Sequence, residues 1–118
     1  MRVEDLRVYQ RSYKIALEMH LLTKEFPQIE QYGGIADQLR RSSKSIVANI
    51  VEGYSKQSFY KADFKKMLIY SLASCDESQL WIRMSKDLGY IDDRKYQSIY
   101  QELDEIGKML YNFIKKSF

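Results

Sequence analysis

Three groups of lysine and arginine residues have the spacing that would bring each group onto one face of an α-helix. Residues three or four positions apart are neighbours on a helix surface. The groups are Arg40, Arg41 and Lys44; Arg7, Arg11 and Lys14; and Lys61, Lys65 and Lys66. Clustered positive charges can contact the phosphates of RNA or DNA, although any single group is more often an ordinary solvated helix surface. These nine residues are the candidate nucleic-acid-binding residues.

Metal-dependent and nucleophilic catalysis are disfavoured by the residues available. His20 is the only histidine, it has no glutamate three positions before it, and Cys75 is the only cysteine. A di-iron site in a helical bundle needs Glu-x-x-His pairs, and a zinc site needs several Cys or His ligands. Ser42, Ser43 and Ser45 have no nearby base in the sequence to activate a hydroxyl. We therefore predict no metal, no cofactor and no catalytic residue, with Cys75 as a buried thiol.

The length and composition indicate a single domain over residues 1–118, because 118 residues suffice for one hydrophobic core. Lys and Arg exceed Asp and Glu by 19 to 16, and this net charge of +3 permits nucleic-acid binding without demanding it. The lone cysteine cannot form an internal disulfide, the first residues do not resemble a signal peptide, and no apolar run approaches the ~18 residues of a membrane span. The predicted location is the cytoplasm, with no membrane partner.

Proline and glycine are too scarce for a β-sandwich, which needs turn signals about every 8–12 residues. Pro27 is the only proline, and the five glycines are Gly33, Gly34, Gly53, Gly89 and Gly107. These residues divide the chain into four long segments. Each segment is predicted to form one helix.

The second segment, residues 34–54, contains the most ambiguous stretch of the chain. The sequence LRRSSKSIVANIVEGYS at residues 39–55 has β-branched residues that would also suit a strand. Strand alternation would mix polar and apolar residues on both faces. The helical period instead collects one apolar stripe, made of Ile35, Leu39, Ser42, Ile46 and Ile50. A helix is therefore predicted, with small serines that allow close packing and with Gly53 as a candidate end signal.

The other three segments also show helical periodicity. Residues 5–26 carry two apolar stripes and end at Pro27. A third helix is predicted to begin at Ser58 as N-cap and to end at Gly89, and a fourth to begin at Asp92 as N-cap. The apolar residues of the fourth repeat at intervals of three and four, as in a bundle seam: Tyr96, Ile99, Leu103, Ile106, Leu110 and Phe113.

Four helices with short connections predict an all-α protein, an antiparallel up-down four-helix bundle. The second apolar stripes exceed what one bundle core requires. A broad core with a few incidentally exposed tyrosines would account for part of this excess. Homo-oligomerisation is the preferred explanation, because it would bury the remaining stripes against a second copy.

The chain also carries the motifs of a known family. The matching residues are EDLRVYQ at 4–10, Tyr32-Gly33, QLRR at 38–41, Ser45-Ile46, Asn49-Ile50, Glu52-Gly53, Ala73-Ser74, Glu77, Trp81 and LGY at 88–90. On these residues the chain resembles the four-helix bundle proteins encoded by intervening sequences in bacterial 23S rRNA genes, a family also labelled ribosomal-protein-like. The likeness spans residues 3–91, with a looser fourth helix, and it implies that the second helix continues a few residues past Gly53.

The sequence departs from the family pattern at three positions. Tyr9 stands where tryptophan is common. Gly34 stands where a larger apolar residue is usual, which predicts a looser start of the second helix. Val51 replaces a common alanine, which predicts extra bulk at a packed position. None of these departures changes the predicted fold.

The resemblance implies an assembly and a binding role but no reaction. Family members form ring-shaped homopentamers, and relatives include the accessory protein of diversity-generating retroelements, which resembles a nucleic-acid-binding partner of a reverse transcriptase. The resemblance assigns a structural role to the motif residues Asn49, Glu52, Gly53, Glu77 and Trp81.

Glu52 and Glu77 are the only candidates for acid–base chemistry, since the family motif places both among packed helices. A catalytic pair would exchange protons with a substrate. We favour instead a structural role, in which the two carboxylates pair with Arg40, with Arg41 or with backbone and side-chain donors such as Asn49, and fix the helix register.

Three hypotheses for function follow from the sequence. The first is a non-enzymatic homo-oligomer, a pentamer in this reading, that binds RNA or DNA without sequence preference through repeated basic surfaces; five copies at +3 would carry +15. The second is a structural adaptor that docks a protein partner through exposed aromatic residues. The third, ranked last, is an enzyme that uses Glu52 and Glu77.

Overall fold

The computed structural model describes all 118 residues and contains four α-helices and no β-strand. The helices are α1 (Arg7–Thr23), α2 (Ile35–Lys56), α3 (Lys61–Asp87) and α4 (Asp93–Ser117). Short 3₁₀ turns at Val3–Asp5 and Gln28–Glu30 precede α1 and α2. The predicted four-helix, all-α fold is confirmed.

Neighbouring helices run in opposite directions around a closed square. Ser42 of α2 contacts Ser78 of α3, whereas Gly53 lies against Phe64, so the residue numbers rise along α2 as they fall along α3. The same reversed order relates α1 to α2, α3 to α4, and α1 to α4. Because α1 and α3 each pack on both α2 and α4, they occupy opposite corners of the bundle.

The core is built from the stripes that helical periodicity predicts. In α2 the apolar members of the predicted stripe are all buried, and Leu39, Ile46 and Ile50 are fully so, which settles the ambiguous stretch as a helix. The seam of α4 is likewise buried from Tyr96 to Leu110, with Phe113 half-buried at its end. The bundle therefore holds one continuous apolar core that involves every helix.

Small residues bring α2 and α3 close together, as the serines of α2 predict. The Ser78 hydroxyl donates to Ser42 Oγ at 2.8 Å, and the Ser74 hydroxyl donates to Ser45 Oγ at 2.8 Å. One turn further, the Ser71 hydroxyl donates to the Ile46 carbonyl at 2.7 Å. These bonds satisfy polar groups inside the seam, so the close approach leaves no unpaired buried hydroxyl.

The start of α3 differs from the prediction, whereas the end of α2 agrees with what the family resemblance implies. Helix α2 continues past Gly53 to Lys56, and α3 begins only at Lys61, so Ser58 is not its N-cap. The backbone N–H groups of Phe59 and Tyr60 both donate to the Lys56 carbonyl, which closes a tight turn over residues 57–60. These bonds satisfy a carbonyl at the end of α2. The residue that precedes α3 is Tyr60, and its side chain makes no capping hydrogen bond.

The predicted boundaries around α4 are confirmed. Asp92 caps the helix, because its side chain accepts the backbone N–H of Lys95 at 2.7 Å. Gly89 has φ +80°, the left-handed conformation that commonly ends a helix and that few residues other than glycine adopt. A five-residue connection, residues 88–92, therefore joins α3 to α4.

Gly34 makes room for a cap instead of loosening the start of α2. A Cβ at this position would lie 2.6 Å from Glu30 Cα, so a larger residue would displace the turn. The Glu30 carboxylate accepts the Ile35 N–H at 2.9 Å and the Tyr90 hydroxyl at 2.7 Å, and it thereby links the α1–α2 and α3–α4 connections.

The expectation for Val51 was also wrong, because its side chain is 40% exposed and adds no bulk to a packed site.

We expect the Glu30 cap to make folding sensitive to acid. The hydrogen bond from Tyr90, followed by that from the Ile35 N–H, lowers the pKa of Glu30 below its ordinary value. The charged carboxylate is therefore favoured in the folded state, so its stabilisation is complete above the unfolded pKa and is lost as the pH falls through the folded one. When the pH is lowered from 6 to 3, the melting temperature of the Glu30→Gln variant should fall less than that of the parent protein. Circular dichroism melts would measure this difference, with Glu25→Gln as an exposed control, and identical pH profiles would contradict it.

Candidate nucleic-acid interface

Charge is distributed unevenly along the bundle axis. Because the helices alternate in direction, one half of the bundle holds residues 1–15, 46–74 and 106–118, and the other holds residues 16–45 and 75–105. The first half has eleven Lys and Arg against four Asp and Glu, a net charge of +7; we call it the basic half. The second half has eight Lys and Arg against twelve Asp and Glu, a net charge of −4; we call it the acidic half. A total of only +3 therefore conceals a strongly polarised molecule.

Two of the three predicted basic groups lie in the basic half. Arg7, Arg11 and Lys14 follow α1, and Lys61, Lys65 and Lys66 occupy the first turns of α3. Only Arg11 among these six has an acidic partner: it pairs bidentately with Glu102 at 2.6 and 3.0 Å, and this hydrogen bond raises its pKa. The other five are exposed and have no carboxylate within 4.0 Å, so their charges face solvent.

The third predicted group lies in the acidic half and is engaged within the chain. Arg40 donates to the Gln31 carbonyl at 2.7 Å, to the Gln31 side chain at 3.0 Å and to the Thr23 hydroxyl at 3.2 Å. Arg41 pairs with Asp37, and the Lys44 amine lies 3.1 Å from His20 Nδ1. Arg40 thus fastens the α1–α2 connection, and the geometry gives this group a structural part in addition to its predicted binding role.

Arg40→Ala is expected to destabilise the protein by about 1.5–3 kcal/mol, because it removes charged hydrogen bonds that hold the α1–α2 connection. Arg41→Ala is the matched control, since Arg41 is mostly exposed and its helix-surface pair with Asp37 contributes less than about 0.5 kcal/mol. Urea unfolding of both variants at one protein concentration would measure the difference. Equal midpoints would show that Arg40 is not a structural residue.

The structure adds basic and aromatic residues that sequence reasoning missed. Lys115 and Lys116 lie in the last turn of α4, in the basic half, and have no acidic partner. They follow Phe113, whose ring packs on Phe64 of α3. Phe59 and Tyr60 project from the α2–α3 turn and are 77% and 64% exposed. The up-down topology could have signalled the two lysines, because it brings the end of α4 to the same end of the bundle as the start of α3.

Glu52 and Glu77 do not form a pair. Both are exposed. Because Ser78 of α3 contacts Ser42 of α2, Glu77 lies level with the part of α2 that is about ten residues from Glu52. This separation is about 15 Å along the helix axis. Glu52 pairs with Lys56 at 3.3 Å, and Glu77 accepts the Trp81 indole N–H at 2.9 Å. The predicted placement among packed helices and the predicted pairing with Arg40 or Arg41 were wrong, whereas Glu77 does meet a side-chain donor, which is Trp81 rather than Asn49.

The remaining motif and chemical residues have local structural contacts. The Asn49 amide donates to the Ser45 carbonyl at 2.8 Å, and Trp81 packs against the core. Cys75 is buried as predicted, and burial raises the pKa of its thiol to about 12. The positive charge of Lys44 lowers the pKa of His20. Histidine, cysteine and acidic side chains nowhere gather in threes that could hold a metal ion.

Two apolar faces remain exposed on opposite corners of the bundle. The face on α1 consists of Tyr13, Leu17 and Leu21, one turn apart and about half exposed or more. The face on α3 consists of Leu80 and Met84, one turn apart, and of Ile69, about three turns before them on the same side of the helix. We call them the α1 face and the α3 face. None of the four helices has the length and apolarity needed to cross a membrane.

The comparisons with known proteins agree with this fold. The family model of 23S rRNA-intervening sequence proteins matches residues 4–112. The crystal structure of a protein with unknown function from the S23 ribosomal protein family of Bacteroides thetaiotaomicron VPI-5482 is similar at a TM-score of 0.83 and 30% identity, over 92% of this chain and 99% of that one. No curated protein matches the sequence.

Proposed function

The chain belongs to the 23S rRNA-intervening sequence protein family, and from this premise we propose that it is a non-enzymatic homo-oligomer that binds RNA or DNA without sequence preference. The observation that carries this proposal is the polarised charge. Seven basic side chains in the basic half have no acidic partner: Arg7, Lys14, Lys61, Lys65, Lys66, Lys115 and Lys116. Unpaired cations concentrated at one end of a protein favour a polyanion.

The two apolar faces support a ring. They lie on opposite corners and differ in their residues, so the α1 face of one copy would contact the α3 face of the next. Such heterologous contacts close into a ring when the rotation between copies permits it, and a pentamer is the size that we propose. Cyclic symmetry would place every basic half on the same side, where five copies of +7 would give +35. Weak phosphate contacts repeated around that side would act together.

The alternative is an adaptor that docks a protein partner through the exposed aromatic residues, with the charge serving solubility alone. Phe59 and Tyr60 favour it, because large exposed aromatic side chains are typical of protein interfaces. Salt distinguishes the two functions. Phosphate contacts release counterions and weaken steeply as salt rises, whereas an apolar protein interface does not.

The test is fluorescence-anisotropy binding to structured RNA and to duplex DNA across a salt series, with the mass measured by light scattering on the same sample. We expect a pentamer whose affinity falls by about 10³- to 10⁵-fold between 50 and 200 mM salt, if 6–10 phosphates are neutralised. A pentamer that binds neither nucleic acid at low salt would overturn the proposal and favour the adaptor.

Matched variants locate the binding surface. Lys61→Gln, Lys65→Gln and Lys66→Gln, combined in one protein, remove three charges from the basic half and should reduce affinity and the salt slope. Lys24→Gln, Arg94→Gln and Lys95→Gln, also combined, remove the same charge from the acidic half, lie outside the three candidate groups, and should change both much less. Equal losses in the two triple variants would show that total charge, rather than the basic half, determines binding.

A further inference from the structure

The basic half carries four exposed aromatic rings that lie near lysines. Phe59 and Tyr60 stand in the α2–α3 turn and directly precede Lys61. Two more exposed rings each lie beneath a lysine: Lys66 Nζ is 5.7 Å from the centre of Tyr70, and Lys115 Nζ is 6.0 Å from that of Tyr111. We call these four rings and the neighbouring lysines the aromatic cap.

Contacts in the core hold the parts of this cap together. The Phe64 ring packs edge-on against Phe113 and Phe118, at centroid distances of 5.6 and 5.7 Å, so the end of α4 is fixed against the start of α3. The end of α2, the start of α3 and the end of α4 together line one cleft, to which they contribute Tyr54, Lys61 and Phe118. Bonds from both turn residues to the Lys56 carbonyl fix the backbone that carries Phe59 and Tyr60. The rings are therefore displayed on a well-defined backbone.

This arrangement suits single-stranded nucleic acid better than a duplex. The bases of a single strand are free to stack on aromatic rings, and every base has a face that can do so, whereas the bases of a duplex are already stacked on each other. A duplex would meet the lysines alone. A stiff duplex that extended along the bundle would also meet the acidic half, whose net charge is −4, while a flexible strand can remain at the cap.

We propose that the aromatic cap binds single-stranded RNA or DNA by stacking bases on Phe59 and Tyr60 while the surrounding lysines contact the phosphates. This inference rests on the proposed nucleic-acid function and adds the form of the ligand and the residues that select it. The aromatic residues provide the preference for single strands, and the lysines provide affinity for either form.

The experiment measures anisotropy with a fluorescent oligothymidine and with a duplex of the same length, at one salt concentration. The parent protein should bind the single strand more tightly. The double variant Phe59→Ala, Tyr60→Ala should lose about 10- to 100-fold in single-strand affinity and less than about 2-fold in duplex affinity. Tyr32→Ala is the control, because Tyr32 is a highly exposed aromatic residue in the acidic half. Circular dichroism would verify that each variant is folded.

The outcomes separate this inference from the proposed function. Equal affinity of the parent for both forms, or equal losses in the double variant, would overturn the inference and leave nucleic-acid binding intact. Binding to neither form would overturn the proposed function itself. Should the alanine variant unfold, Phe59→Leu, Tyr60→Leu keeps apolar side chains of substantial size and removes the two rings together with the Tyr60 hydroxyl. Undiminished single-strand binding by that folded variant would equally refute stacking.

Discussion

Gly53→Ala is expected to lower the free energy of unfolding by about 1–3 kcal/mol, although alanine is the better helix former. A Cβ at position 53 would lie 2.9 Å from Met67 Cβ and 2.9 Å from Phe64 Cδ1, with the Phe64 carbonyl at 3.3 Å. These atoms belong to α3 and two of the three lie close to its backbone, so α2 and α3 must separate to admit the methyl group. Chemical unfolding at a fixed protein concentration would measure the loss.

Gly107→Ala is the control that separates packing from helix propensity. Gly107 also lies inside a helix, but its Cβ would meet Leu72 Cδ1 at 3.7 Å and Cys75 Sγ at 3.8 Å, which are ordinary van der Waals contacts. The same chemical change there should stabilise the protein by about 0.5–1 kcal/mol. Opposite signs in the two variants would establish that the α2–α3 seam requires glycine. A gain in stability at both positions would show that the seam tolerates a wider spacing.

The fold could be predicted from the sequence where one physical signal dominates. The 3-4 spacing of the α4 seam requires a helix, and Asp92 and Gly89 have side-chain and backbone properties that suit helix ends. The stretch at 39–55 was assigned correctly because only the helical period sorts its polar residues from its apolar ones. These are local signals, and the sequence contains them in full.

The features that could not be predicted depend on contacts between helices. Ser58 has the chemistry of an N-cap, but Lys56 closes the turn through its carbonyl and shifts the start of α3. Arg40 resembles a surface cation until Gln31 is placed beside it. Glu77 faces solvent because its neighbour Ser78 takes the packed position. The tertiary structure selects among residues whose local chemistry is equally suitable.

The aromatic cap was missed for the same reason. Lys61, Lys65 and Lys66 could be recognised as a group because they lie on one helix. Lys115 and Lys116 join them only through the antiparallel return of α4, some fifty residues later in the chain. The +7 and −4 halves likewise appear only after three separate segments are assigned to one end of the bundle. A charge summed over the whole chain cannot reveal this polarity.

Leu17→Arg is expected to convert the proposed pentamer, about 70 kDa from five copies of 14.1 kDa, into monomers. Leu17 is at the centre of the α1 face and is 52% exposed, so arginine can replace it without disturbing the core of the protomer. A ring interface could not bury that charge without a partner. Because the repeated basic halves would then act singly, nucleic-acid affinity should fall by about 10²- to 10⁴-fold. Light scattering would give the mass, and circular dichroism would show whether the protomer stays folded.

A second variant tests whether the two faces meet each other. Leu80→Arg, in the α3 face, should also give monomers, since Leu80 is similarly exposed. In a heterologous ring each variant retains one intact face, and the two intact faces are complementary. An equimolar mixture should therefore form a one-to-one dimer that neither variant forms alone. If each face paired with its own copy instead, either variant by itself would still dimerise through the unaltered face. Dimers in the unmixed samples would thus reject the ring, whereas dimers in the mixture alone would establish the contact on which it depends.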